Sequence, residues 1–278
     1  MSTLAQDLTP LPDAYNVVAT ARVRAGHNGR TTTLPLLSSD GPFHLQRLRP
    51  RGGLARVDVI GAMSGPLGGD RLALHADAGP HARLQITSAA STIALRGPTD
   101  DPATYDIRLT VGDDATLNWL PQPLISTAGS NLRQTCTVTL APTARLVLRD
   151  EQILGRTGET SGNLTTRLTL LRSGRPLLDQ HTAYGDPHPA WDGPAVVGSH
   201  RACGQLLIVD PSLTPAAHPP VLLGHPDTPA HGVLAPLAGP ALLATAVADT
   251  ATQLRHLLDE ALRRALTCSL AASGPSQS

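Results

Sequence analysis

The sequence predicts a mostly-β fold, with sheets paired as a sandwich or a stack and a helix near the C-terminus. Three observations lead there. Apolar and polar residues alternate with period two in several short runs. Turn residues break those runs at intervals of about ten residues, the rhythm of all-β folds. Clear helical periodicity is confined to residues 250–267.

In chain order, residues 1–12 are polar and carry no signal-peptide core. Residues 64–70, SGPLGGD, form a Gly-rich connection ending in Asp70, and Arg71-Leu72-Ala73-Leu74 then reads as a strand. Glycines there permit positive φ and close backbone approach, whereas a phosphate cradle would want a helix to follow. Ala82, Leu84 and Ile86 alternate with Arg83, Gln85 and Thr87, and Ile107, Leu109 and Val111 with Arg108 and Thr110. A turn at Gly112-Asp113-Asp114 precedes a strand over 116–120. Residues 137–140 and 145–148 flank Ala141-Pro142-Thr143, and 167–171 and 176–178 flank Ser173-Gly174; both are read as hairpins. The apolar run from Cys203 to Val209 predicts a fully buried strand, and the Pro-, Ala- and His-rich stretch 210–240 predicts a loop.

The closing helix has a capping box in Thr250 and Gln253. Leu254, Leu257, Leu258, Ala261, Leu262, Ala265 and Leu266 recur at helical spacing, with Asp259–Arg263 and Glu260–Arg264 as i,i+4 pairs opposite. Residues 271–278 read as a disordered tail. The expected organisation is therefore an N-terminal segment over 1–20, one β domain over 20–270 and that tail.

Composition removes several functions. Basic and acidic residues number 22 each, so the net charge is zero and no basic stripe invites nucleic acid. Every basic residue is arginine. Without lysine there is no Walker A loop, no lysine Schiff base and no kinase phosphate-binding lysine. Cys136, Cys203 and Cys268 are few and far apart, with neither a CxxC pair nor a disulfide framework, and read as small buried hydrophobes. No run of about 18 apolar residues suggests a membrane span, so a cytoplasmic location is expected.

The histidines show no metal-ligand spacing. His181 and His188 near Asp186 and Asp192 read as surface loop residues; His218, His225 and His231 could bind a metal weakly but read better as solvated loop residues. No Gly-x-Ser-x-Gly elbow is present. Asp100-Asp101 and Asp113-Asp114 read as turn acids. On a strand Asp150 and Glu151 point to opposite faces and cannot share one site. Residues 149–160, RDEQILGRTGET, hold two of the chain's three glutamates beside two arginines and two glycines.

In order, several runs resemble the urease accessory protein UreD (UreH) family. They are Gly41 to Arg47 (GPFHLQR), residues 64–72 (SGPLGGDRL), Ile86 to Arg96 (ITSAASTIALR), Leu120 to Ile125 (LPQPLI), Asp150 to Glu159, and Pro176 to Asp179 (PLLD), together spanning about residues 20–180. The chain departs from the family pattern at Met63-Ser64, at Ile93-Ala94-Leu95, between Arg156 and Gly158, and at a missing Pro-Arg-x-Trp ending.

The resemblance implies stacked sheets with β-helix character and about two α-helices, the clearer near the C-terminus. It implies a non-enzymatic chaperone that binds a UreF-type accessory protein, which recruits a UreG-type GTPase. That assembly, usually a dimer of heterotrimers, docks on urease apoprotein and helps deliver nickel; no nucleic acid or membrane is involved. No cofactor is tightly held, and nickel is in transit. Motif by motif, the resemblance points to Asp70, Thr92, Asp150, Glu159 and Asp179 (or its neighbour Gln180) along a transient nickel passage, with Gly68, Gly69 and Arg156 supporting it. Scattered oxygen donors suit such a passage, since imidazole and thiolate clusters would hold Ni²⁺ too tightly. Two alternatives stay open: a β-solenoid carbohydrate-active enzyme using acids such as Asp113 and Asp150, and a plain protein-binding scaffold with no metal route.

Overall fold

The computed structural model describes residues 16–272 except 64, 187 and 226, with side chains of the last helix described to residue 266. The chain first lays down β1 (Val18–His27), β2 (Thr32–Ser38), β3 (Phe43–Arg51) and β4 (Leu54–Gly61). Next come β5 (Arg71–Ala78), β6 (Arg83–Ser88), β7 (Thr92–Ala94), β8 (Ala103–Val111), β9 (Thr116–Leu120) and β10 (Leu124–Ser126). β11 (Asn131–Leu140), β12 (Arg145–Leu154), β13 (Asn163–Arg172) and β14 (Arg175–Tyr184) follow. β15 (Ala202–Val209), β16 (Val221–Leu223), β17 (His231–Pro236) and β18 (Ala241–Ala248) lead into α1 (Ala251–Ala272).

Two sheets face each other. The 7-stranded sheet runs β14-β13-β11-β8-β5-β1-β2, and the 11-stranded sheet runs β16-β17-β18-β15-β12-β9-β6-β4-β3, with β10 joining β12 and β7 joining β10. Between residues 71 and 172 the chain alternates between the sheets. β5, β8, β11 and β13 pair in parallel in one, and β6, β9 and β12 do so in the other. The result is a stack of β-solenoid coils.

Each coil turns in the same way. Ala82 N–H donates to Gly79 O (3.0 Å), Ala115 to Gly112 O (3.2 Å) and Ala144 to Ala141 O (3.2 Å). Successive turns are stitched by Gly112 N–H to Ala78 O (2.8 Å) and Ala141 N–H to Val111 O (2.9 Å). The alanine closing each turn is fully buried, since the stacked turns leave room for little more than a methyl group.

This corrects one expectation. Ala141-Pro142-Thr143 is not a hairpin turn, because β11 and β12 lie in different sheets and each pairs in parallel with other coils. A two-residue hairpin wants positive φ in its turn, which Pro142 cannot supply. Ser173-Gly174 does supply it, with φ of 52° and 72°, and β13–β14 is the expected antiparallel hairpin. The stretch 210–240 is also more ordered than a loop. It holds a 3-10 turn at Pro215–Ala217 together with β16 and β17, the latter paired antiparallel to β18.

β15 is buried on both faces as expected, with the opposing sheet on one side and α1 on the other. Helix α1 starts at its capping box: Gln253 N–H donates to Thr250 Oγ1 (3.2 Å) and Thr250 N–H to Gln253 Oε1 (3.1 Å). It runs beyond residue 267 because no glycine or proline interrupts it before Gly274. Among the described residues it is the one α-helix, where about two were expected. Leu254, Leu257, Leu258, Ala261 and Ala265 press on β15 and β18. Glu260 pairs with Arg264 (2.6 Å) as expected, whereas Asp259 pairs with Arg149 of β12. The expected segment 1–20 lies outside the described residues as far as residue 15, and the expected tail from residue 273.

Candidate functional site

Strand alternation positions the site. On β12, Leu146, Leu148, Asp150, Gln152 and Leu154 point between the sheets, while Arg149 and Glu151 point to α1. Glu151 is buried and is gripped by Arg255, whose Nε donates to Oε1 (3.1 Å) and Nη2 to Oε2, while its Nη1 donates to Gln122 Oε1 (3.0 Å). Asp150 and Glu151 leave β12 in opposite directions, as their adjacency requires, yet both border one small cavity, which corrects the expectation that they cannot share a site.

The carboxylate of Asp150 neighbours the side-chain amides of Gln152, Gln205 and Gln134. Burial pushes its pKa above the ordinary carboxylate range; the glutamine amides oppose that shift, and neighbouring Glu151 adds to it. Asp150 lines one of two cavities here, and its neighbours Gln152 and Gln205 line the other. The smaller, ≈ 50 Å³, is lined by Asp150, Thr92, Gln134, Gln122, Tyr105 and Trp119, among others. At roughly 10–15 Å³ per water it has room for a few. The larger, ≈ 530 Å³, is lined by Gln152, Gln205, Gln180, Thr182, Tyr184 and Cys203, among others. It lies where the smaller sheet ends at β14 and the larger sheet continues through β15, β18 and β17. Buried Gln205 Oε1 has no hydrogen-bond partner within the chain, so an acceptor is left available at this point.

The thiols here are inert. Burial raises Cys203 to about 12 and pushes Cys136 up as well. Cys203 Sγ donates to Gln152 Oε1 (3.9 Å). Both cysteines are free and buried, as expected; the side chain of Cys268 lies outside the described residues.

The other residues singled out in the sequence lie elsewhere. Asp70, 3% exposed, accepts from Val17 N–H (Oδ1, 2.8 Å) and Leu67 N–H (Oδ2, 2.8 Å), clamping the start of β1 to the Gly-rich turn. Gly69 takes φ of 89°, and Gly68 packs so closely on the next coil that a Cβ on Gly97 would lie 2.4 Å from its nitrogen. Ser64 of that motif lies outside the described residues. Glu159 is held by Arg156 (Nε to Oε1, 2.9 Å), which lowers its pKa to about 2. The loop carrying both is tied by Arg201 Nη2 to the carbonyls of Leu154 (3.2 Å), Arg156 (2.7 Å) and Glu159 (2.6 Å). Asp179 faces outward and pairs with Arg167 (3.0 and 2.8 Å), which lowers its pKa. Its neighbour Gln180 takes the inward position.

Of the residues named from sequence, the fold thus brings Thr92 and Asp150 to one cavity. Sequence reading missed Gln134, Gln152 and Gln205. Their signal was a polar residue in the buried phase of a strand, as in Leu132, Gln134, Cys136, Val138, Leu140. Asp113 sits in an exposed turn, so it and Asp150 do not form the converging acid pair of a glycoside hydrolase. Among the described residues no three His, Cys, Asp or Glu side chains gather as a metal-ligand set, and no helix is long and apolar enough to cross a membrane.

The fold and its interior define a stacked-coil β protein with two unreactive buried thiols and a desolvated acid beside amide side chains. Comparison with known proteins makes this specific: the profile of the UreD urease accessory protein family matches residues 17–276. The chain is 62% identical to the urease accessory protein UreD 2 of Saccharopolyspora erythraea, across 91% of this chain and 89% of that one. It is 56% identical to UreD 3 of Streptomyces griseus (90% and 98% covered) and 51% identical to UreD of Streptomyces coelicolor (90% and 97% covered). The chain belongs to the UreD family of urease accessory proteins.

Proposed function

We propose that this chain is a non-catalytic adaptor of urease maturation through which nickel passes as cargo. In this reading it binds a UreF-type accessory protein, which recruits a UreG-type GTPase, and docks on urease apoprotein in the cytoplasm as part of a dimer of heterotrimers. The arginine-only basic set supports the division of labour, since the phosphate-binding lysine of a GTPase must come from another chain.

One observation carries the nickel route: Asp150 on the wall of one cavity, beside Gln152 and Gln205, which line a second. A divalent cation reaching Asp150 would find one carboxylate, neutral amide oxygens and water. Oxygen donors of this kind hold Ni²⁺ less tightly than imidazole or thiolate. Because burial favours the protonated acid, a proton competes with the ion, and release becomes easier. Thr92 adds a hydroxyl to the same wall. Asp70, Glu159 and Asp179 have their carboxylates taken by protein donors. We therefore assign the passage to Asp150 and Thr92 with the glutamines, and give those three acids the task of holding the coils and the 155–160 loop around it.

The test is activation of urease apoprotein with the full set of accessory proteins and nickel. Asp150→Asn keeps the shape and removes the charge. It should lower activation about tenfold or more, as loss of a metal-orienting group does, while co-purification with the UreF-type partner persists. Normal activation by Asp150→Asn would overturn the route and leave the plain scaffold.

A further inference from the structure

Three residues distant in sequence meet at one edge of the larger sheet. His200 lies two residues before β15, Asp249 directly follows β18, and His231 opens β17. Their proximity follows from strand register, since Ala202 lies opposite Ala248 and Val247 opposite His231. His200 Nδ1 is 2.8 Å from Asp249 Oδ1, and the rings of His200 and His231 stand 5.9 Å apart, nearly perpendicular at 76°.

Asp249 sets the chemistry of His200. A carboxylate at Nδ1 fixes the proton there, so Nε2 keeps its lone pair; this is the carboxylate–histidine arrangement that orients metal ligands. Two nitrogen–metal bonds of about 2.1 Å to one ion are compatible with ring centroids at this spacing. The neighbouring guanidinium of Arg201 is engaged by three carbonyls. His231 lines the larger cavity and His200 lines an adjoining recess with Glu159 and Asp192.

We propose that His200 and His231 form a two-imidazole holding site for a borderline divalent cation at the outer edge of the larger cavity, with Asp249 as the positioning residue behind His200. No third His, Cys, Asp or Glu among the described residues completes a set, so water fills the remaining positions. A site with two protein donors holds an ion but does not lock it, which suits cargo. The inference deepens the cation-relay reading and rests on it for its purpose, although the binding can be measured alone.

The experiment titrates the purified full chain with Ni²⁺ alone by calorimetry and follows the imidazole proton resonances. Ni²⁺ should broaden the signals of His200 and His231 first. His231→Ala, at an exposed position that folding does not need, should weaken affinity about tenfold or more, and Asp249→Asn by a similar factor with both imidazoles still present. Asp150→Asn should leave this affinity unchanged. Unchanged affinity in His231→Ala, or broadening confined to other histidines, would overturn the site. Weaker binding in His231→Ala beside normal urease activation by Asp150→Asn would keep the site and sink the passage; the reverse pattern would keep the passage and sink the site.

Discussion

The space between the sheets has two halves of opposite character, and the same strands run through both. Next to the stacked turns it is dry: Leu109, Leu117, Val138, Leu140, Leu146 and Leu148 are buried there. Towards the other end β11, β12, β13 and β15 carry Gln134, Gln152, Thr166 and Gln205, with Asp150 among them. Register confirms the separation, since Leu146 lies opposite Val209 whereas Gln152 lies opposite Cys203. A solenoid coil needs only an apolar ladder, and each buried polar group costs free energy unless satisfied. The dry half therefore accounts for the fold, and the polar half calls for another explanation, which the proposed cation route would supply.

The contrast can be broken by substitution. Leu146→Ala in the dry half should cost about 2–5 kcal/mol, read as a lower midpoint in urea unfolding. Asp70→Ala, at the edge of the coil stack, orphans two backbone amides and should cost about 2–3 kcal/mol; its loss of urease activation should follow its loss of fold, unlike that of Asp150→Asn.

Asp150→Asn sharpens the comparison through pH. The folded state raises the pKa of Asp150 above its unfolded value of about 3.9. The folded chain thus binds the extra proton, and this group's stabilising contribution is complete below about pH 3.9 and lost as pH rises through the folded value. Asp150→Asn should therefore melt higher than the parent at neutral pH, with the gain shrinking to nothing below about pH 4. An unchanged difference across that range would show that the carboxylate is not desolvated. The smallest effect is expected outside both halves: Asp179→Asn breaks an exposed pair with Arg167 and should leave the melting temperature and urease activation nearly unchanged.

Much of the dry half was legible. Alternation marked the strands over 82–87 and 107–111, and the Thr250–Gln253 box marked the helix start. The Ala141-Pro142-Thr143 turn was misread because strand sequences on either side of a tight turn look alike whether the partner is the next strand or the next coil. For the polar half, the motif runs led to Asp150 and Thr92, but also to Asp70, Glu159 and Asp179, whose carboxylates the fold ties to protein donors.

By itself the sequence determined the mostly-β class, the alternation that buries leucine, the capped terminal helix, the exclusion of lysine chemistry and the UreD resemblance. All of these are local or compositional properties, carried by residues a few positions apart. Only the tertiary structure decided which polar residues converge. Gln134, Asp150 and Gln205, and equally His200, His231 and Asp249, come from different strands or strand ends, and strand pairing across dozens of residues is a global free-energy minimum that no single segment encodes.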